Sequence, residues 1–277
     1  MPADPRVLHF NDAAGVGLAL VRAAERQGLH WDLLPQSRVR PSLPAARLRG
    51  LGRVRYVPFL ARRAVALGRA DVVHVHSANN VRLLRERGMP RRPYLLHLHG
   101  TDIRERWPDP AHRAEIQAAV DGAFAVYYTT PDLAENALRA RPDAVHMPAF
   151  VEAGTLPAWA PGPRRRVVYV SRWSAVKGAP EVLALARRLA ELLPSDVEQV
   201  GLDWGPDAEE ARRAGVRLVP RLAHAEYLEL LASAHVCVGQ ATSVLGVSEL
   251  EAMAVGPPLA SVGEHLSAPA TGAPPVL

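Results

Sequence analysis

Short runs of apolar residues alternate with amphipathic helical stretches along almost the whole chain, and the alternation is interrupted once. Residues 6–10, 31–34, 71–76, 94–99, 124–128 and 144–147 read as strands, with helical patterns near 17–27, 56–67, 110–120 and after Thr130. A second series has strands at 167–170, 197–202, 216–219, 236–238 and 259–262 and helices at 180–194, 208–214, 225–234 and 248–255. A parallel neighbour is reached only through a crossover, so this pattern demands an α/β chain with parallel sheets covered by helices on both faces. Between the series, residues 148–163 gather Pro, Gly, Ala and Trp and lose all periodicity, which marks a linker. A chain of 277 residues can hold two cores, and the expected domains are 1–158 and 159–277.

The stretch VVYVSRWSAVKG, 167–178, carries the sharpest chemical signal. A buried strand runs into a polar loop with Arg172 and Lys177, ends at Gly178, and a helix opens near Pro180. Ligands of open α/β sheets bind beyond the strand ends, where a helix N-terminus already favours an anion. The chain has 32 arginines and a single lysine, Lys177. A compact ammonium on a flexible stem suits a phosphate at this position.

A related arrangement is expected at 239–256, GQATSVLGVSELEAMAVG, where Gly246 precedes a short helix with Ser248 as its cap. Glu251 can accept a diol, amides around Gly246 can meet a pyrophosphate, and Glu249 divides between ligand and helix-dipole roles. In the first half the loop NDAAGVG, 11–17, follows the first strand, and Gly15 and Gly17 permit close backbone approach. Two later strands, DVVHVH and YLLHLH, end in histidine-bearing loops. His74 and His97 read as structural, whereas His99, at a strand end beside Gly100 and near Asp102, reads as ligand-facing. No pair of histidines one helical turn apart with a nearby Glu occurs, so no metal is expected.

Composition narrows partners and compartment. The single Cys237 lies in an apolar run, which excludes an internal disulfide and suits a core position. No apolar segment approaches the roughly 18 residues that span a bilayer, and the N-terminus lacks the apolar core of a secretory signal. A cytoplasmic protein is expected. A net charge of +5 points to polyanionic partners. Between 33 and 70 there is no acidic residue but nine arginines, at 38, 40, 47, 49, 53, 55, 62, 63 and 69. They read either as a solvated face or as a surface for an acidic membrane, which would place the protein peripherally on its inner face. With only Tyr56 and its neighbour Phe59 as aromatics in that region to stack bases, nucleic acid is not expected.

On these landmarks the chain resembles the retaining glycosyltransferases of family 4, whose GT-B fold has two Rossmann-like domains facing across a cleft. The landmarks are NDAAGVG, DVVHVH, LHGTD at 98–102, TPDLAEN at 130–136, R-x-x-x-x-K-G at 172–178 and ELEAMAVG-P at 249–257. The resemblance implies transfer of a sugar from a nucleotide diphosphate sugar, the co-substrate, to a glycan, lipid-linked or small-molecule acceptor, with retention and without a metal. It implies that Arg172 and Lys177 hold the diphosphate, that His99 lies near the donor sugar, that Glu251 takes the ribose hydroxyls, and that amides near Gly246 approach sugar or phosphate. The Gly15–Gly17 loop and Asp102 would lie on the acceptor side. The chain departs from the family at Ser243, where a Glu is common, so that Gln240, Thr242, Ser243 or Glu249 would take the donor sugar's hydroxyls. It also stops at Leu277, where relatives continue with a further helix. Two alternatives share these residues: a nucleotide-sugar 2-epimerase, and a non-catalytic protein that binds nucleotide sugar or acidic lipid.

Overall fold

The structure is a computed structural model, and it describes residues 4–13, 15–40, 54–152, 154, 156–242 and 244–261. The chain divides into two compact units, Met1–Ala149 and Phe150–Leu277. The division falls inside the expected linker, ahead of the 158/159 boundary drawn from composition. The reason is that the linker's second half belongs to unit 2: Leu156 packs on its core, Ala160 N donates to Ala232 O, and Trp159 Nε1 donates to Ala234 O.

Unit 1 has strands β1 (Val7–Phe10), β2 (Asp32–Leu34), β3 (Val72–His76), β4 (Tyr94–Leu98), β5 (Ala125–Tyr128) and β6 (Val145–His146). Its helices are α1 (Val16–Arg26), α2 (Gln36–Val39), α3 (Val57–Arg69), α4 (Val81–Leu84), α5 (Pro110–Asp121) and α6 (Ala134–Ala140). All six strands are parallel, in the order β2-β1-β3-β4-β5-β6. The chain steps one way from β1 to β2 and then back across to β3, so the order reverses between β1 and β3. Right-handed crossovers put α1 on one face and the later helices on the other. Accordingly Leu8, Phe10, Val73, Val75, Leu96 and Leu98 meet Leu67, Ile116, Val120 and Ala137 in the main core.

Unit 2 has strands β7 (Arg166–Tyr169), β8 (Glu198–Leu202), β9 (Arg217–Val219), β10 (Val236–Val238) and β11 (Leu259–Ala260). Its helices are α7 (Ala179–Leu192), α8 (Ala208–Arg213), α9 (His224–Ala232) and α10 (Val247–Val255). The sheet is again parallel, ordered β11-β10-β7-β8-β9, and its order reverses between β7 and β10. Separate apolar clusters lie on its two faces, one around Leu231 and Cys237, the other around Leu183 and Trp173. Cys237 is fully buried and burial pushes its thiol up to about 12, in keeping with a core role.

Among the described residues no helix is long and apolar enough to cross a membrane. The Arg-rich segment does not form one uniform face. Arg63 is fully buried, where it meets Glu86 Oε2 at 2.6 Å, the Tyr56 hydroxyl at 2.7 Å and the Leu83 carbonyl at 3.2 Å. Arg38, Arg40, Arg55, Arg62 and Arg69 are exposed, and Arg47, Arg49 and Arg53 lie outside the described residues.

Candidate functional site

The reversal in the unit 2 sheet places the loops after β7 and β10 side by side, and most of the expected donor residues sit on these two loops. After β7, Trp173 is buried and anchors the loop through its backbone N to Trp204 O and its Nε1 to Leu202 O. Arg172 stands exposed just before it. A single 3-10 turn, Ala175–Lys177, then leads into Gly178. Gly178 has φ +70°, and a Cβ there would lie 2.4 Å from the Ala241 carbonyl oxygen. Only glycine meets both conditions, left-handed backbone and backbone contact with the facing loop. The two loops are also joined by Ala241 N donating to Lys177 O.

Lys177 thereby reaches the start of α10. A Cβ on Gly246 would lie 3.6 Å from Lys177 Nζ and 2.9 Å from Glu249 Oε2, so the ammonium, the carboxylate and the open backbone at Gly246 form one cluster. The helix begins at Val247, and its cap is Gly246, two residues before the expected Ser248. The capping acceptor is the Glu249 carboxylate, which takes Gly246 N at 2.9 Å through Oε2. Its Oε1 accepts from Gln240 N at 2.9 Å and from the Ser171 hydroxyl at 2.7 Å. Glu249 is 1% exposed and thus ties the ends of β7, β10 and α10 together. The first amides of a helix have no acceptor within it, so the start of α10 beside Lys177 offers donors and a cation to an anion.

Glu251, one residue beyond the first turn, is buried and meets His224 Nε2 at 2.6 Å. His224, at the start of α9, is mostly exposed, and no spacing in the sequence ties it to Glu251. Ser243 lies outside the described residues. Gln240 is buried, with Nε2 donating to Val244 O at 2.7 Å and Oε1 without a partner among the described residues.

In unit 1 the expected residues gather at the reversal between β1 and β3. Gly15 adopts φ +76° and caps α1, and Gly17 N donates to Asp12 Oδ1 at 2.9 Å. A Cβ on Gly17 would lie 3.2 Å from His76 Nε2, so α1 starts directly against that imidazole. Asp102 is 1% exposed; its Oδ1 accepts from the amides of His99, Gly100 and Ile103, and its Oδ2 from Ala78 N at 2.9 Å. Burial pushes its carboxyl up, opposed by these donors. The expected acceptor-side carboxylate is therefore enclosed by backbone and holds the loops after β3 and β4 together.

His99 does not stand alone. His9, His74, His76, His97 and His99 share one face of the sheet, because His9 pairs with His74 and His76 with His97 in the register. Their rings pack between 4.4 Å (His97 to His99) and 5.7 Å (His76 to His97) apart. A line of contacts runs from His9 Nδ1 to His76 Nε2 at 3.1 Å, from His76 Nδ1 to His99 Nε2 at 3.0 Å, and from His99 Nδ1 to Thr129 Oγ1 at 2.9 Å. Both nitrogens of His99 are thus engaged. Burial lowers these imidazoles, to about 4 for His9 and His99, about 3 for His97 and about 2 for His74, so all are neutral near pH 7.

No family model and no curated protein matches the sequence. Solved structures do. Sucrose-phosphate synthase from Thermosynechococcus elongatus superposes with TM-score 0.61 at 17% identity, over 93% of this chain and 82% of that one. Anabaena Alr3699/HepE, solved with UDP and glucose, gives TM-score 0.59 at 15% identity, over 94% and 81%. A putative UDP-N-acetylglucosamine 2-epimerase from Listeria monocytogenes gives 0.57 at 14%, over 94% and 79%. At these identities the likeness concerns architecture, and the architecture is the GT-B type with two Rossmann-like parallel-sheet units.

Proposed function

We propose that the chain is a glycosyltransferase that moves a sugar from a nucleotide diphosphate sugar to an acceptor hydroxyl, with retention of configuration and without a metal ion at the phosphates. The observation that carries this reading is the placement of the single lysine, Lys177, against Gly246 at the start of α10. As the glycosidic bond breaks, negative charge grows on the departing diphosphate. An ammonium and helix amides already fixed at that point stabilise the charge more in the transition state than in the ground state. Arg172, exposed on the same loop, is the second cation. Glu251 is the acceptor for the ribose hydroxyls, oriented by His224, and Glu249 positions the loops. His99, with both nitrogens engaged, is given no step.

The neighbours support this choice of substrate. HepE was solved with UDP and glucose, and another GT-B neighbour, TarM, with UDP, a glycan and a GlcNAc-glycerol. The acceptor class is a glycan, a lipid-linked sugar or a small hydroxyl compound. The exposed arginines at 38, 40, 55, 62 and 69 would hold the protein at an acidic membrane, which co-sedimentation with anionic vesicles tests.

The first experiment is a thermal-shift screen of UDP, GDP and ADP sugars, since a ligand that binds only the folded state raises its stability. With the donor found, Lys177→Ala lowers the transfer rate at least about 100-fold with an unchanged melting temperature, and added Mg2+ leaves the rate alone. A wild-type rate in Lys177→Ala overturns the phosphate role. The likeness to a 2-epimerase makes that reaction the second reading, and consumption of donor with no acceptor present would favour it.

A further inference from the structure

We propose that unit 1 binds one transition-metal ion of the Zn2+ class through ring nitrogens of His76, His97 and His99. One nitrogen from each of the three lies within 4.8 Å of the others, and His76 Nδ1 and His99 Nε2 are already 3.0 Å apart. A tetrahedral ion with Zn–N bonds of about 2.0–2.1 Å needs its ligand nitrogens roughly 3.4 Å apart, so the His76–His99 pair opens slightly and His97 closes on it by at most about 1.4 Å from the 4.8 Å limit.

The outer contacts favour this triad. An imidazole that ligates a metal ordinarily has its other nitrogen held by a carbonyl, hydroxyl or similar partner, which fixes the tautomer. His97 Nε2 lies 3.0 Å from the Met147 carbonyl oxygen, which can only accept, so Nε2 carries the proton and Nδ1 keeps its lone pair. That Nδ1 is fully buried and has no partner among the described residues. The Thr129 hydroxyl donates to Leu98 O at 2.8 Å and accepts from His99 Nδ1, which leaves His99 Nε2 with its lone pair. His76 presents Nδ1 to the site while Nε2 faces His9 Nδ1 at 3.1 Å. To ligate, His76 shifts its proton from Nδ1 to Nε2 and donates to His9 Nδ1, whose own proton moves to Nε2. All ligands enter as neutral imidazoles and no net proton is released.

The donor set selects the metal. Three imidazoles without thiolate or carboxylate suit Zn2+, Co2+, Ni2+ or Cu2+ and disfavour Mg2+ and Ca2+, which take oxygen ligands. His99 is the partly exposed member and gives the ion its entrance. Bound there, the ion would clamp the carboxyl ends of β3 and β4 beside the Gly100 turn. A second triad, His9, His74 and His76, shares His76 but has no such outer partners for His74.

The test uses the full chain without a polyhistidine tag, stripped with a chelator and titrated with Co2+ as the optical probe and then Zn2+ in competition. Expected are one equivalent per chain, the visible absorption of four-coordinate cobalt, and a Zn2+-dependent rise in melting temperature. His97→Asn and His99→Asn each weaken binding at least about 100-fold, Thr129→Val about 10-fold, and His74→Asn by less than about threefold. No saturable binding by the folded native chain overturns the proposal. So does loss in His74→Asn with retention in His97→Asn, or octahedral cobalt that persists in both, which marks surface binding only. Should His97→Asn not fold, Thr129→Val and the native stoichiometry still decide. No step of this test reads glycosyl transfer, so it stands or fails separately from the phosphate site.

Discussion

In unit 1 the Asp102 carboxylate gathers the amides of Ala78, His99, Gly100 and Ile103, and in unit 2 the Glu249 carboxylate gathers Ser171, Gln240 and Gly246. Each joins strand-end loops close to where its sheet reverses order, and each is 1% exposed. What lies beside the tie differs. Unit 1 packs five neutral imidazoles there, whereas unit 2 presents Lys177 and the start of α10. A buried carboxylate can therefore serve as scaffold in both units while the neighbouring side chains decide what each place suits: imidazole nitrogens suit a transition-metal cation, an ammonium suits an anion.

Acid should separate the units most strongly. His9, His97 and His99 are held between about 3 and 4, below the ordinary value of 6.5, so between those limits the unfolded chain binds more protons. Their stabilisation is complete above pH 6.5 and is lost as pH falls toward 4, at up to about 1.4 kcal/mol per pH unit for each imidazole. In unit 2 Glu198 is held low chiefly by Arg217, with Arg166 assisting against burial, so its contribution is lost only as pH falls below the ordinary carboxylate range. Peptide-resolved hydrogen exchange at pH 7.5 and pH 5 should show unit 1 losing protection first. Simultaneous loss in both units would break the contrast.

The two ties come next. Asp102→Ala leaves the backbone N–H groups of Ala78, His99 and Gly100 without an acceptor in a dry site, while Ile103 N keeps the Gly100 carbonyl, and should destabilise unit 1 by about 4 kcal/mol. Glu249→Ala strands one hydroxyl and two amides and should cost unit 2 about 3 kcal/mol, with donor binding lost as well. Urea unfolding followed by exchange in each unit measures both. An effect of Asp102→Ala confined to activity would show that this carboxylate faces a ligand after all.

Gly178→Ala should rank third, at roughly 2–3 kcal/mol, because φ +70° is strained for alanine and its Cβ would meet the Ala241 carbonyl at 2.4 Å. The change should register in unit 2 alone and should also weaken nucleotide binding, since Lys177 is the adjacent residue. A variant with normal stability and normal binding would mean that the two loops are not held together by this contact.

The elements were legible because the twofold and 3.6-residue periods are written in consecutive residues, and Pro/Gly punctuation showed the linker. Arg172 stood out because it follows an apolar strand, Lys177 as the single lysine beside Gly178, and Gly246 as a glycine just before a short helix. What escaped were partnerships across sequence distance. His9 belongs with His76 only because β1 pairs with β3, and nothing local in VLHF says so. His224 reaches Glu251 through the packing of α9 on α10, and Glu249 became a tie rather than an open ligand because two other loop ends converge on it. The Arg-rich run read as surface, but Arg63 points inward since Tyr56 and Glu86 meet its guanidinium.

The smallest effects should come from the exposed ion pairs, one in each unit at the amino ends of two neighbouring interior strands. Arg6–Asp71 in unit 1 is 2.8 Å long and Arg165–Asp196 in unit 2 is 2.6 Å long, and their arginines are 61% and 54% exposed. The arginine holds each carboxyl low, to about 2 for Asp71. The pair lies in water, however, where screening and the ordering of two long side chains cancel most of the attraction. Asp71→Asn and Asp196→Asn should therefore leave both unfolding midpoints unresolved from the native values at 0.15 M salt. A clear loss in unit 1 but not in unit 2 would mean that the Arg6 backbone N–H, which also donates to Asp71 at 3.0 Å, fixes the start of β1. The stability of unit 1 would then rest on the amino ends of its interior strands as well as on its buried face.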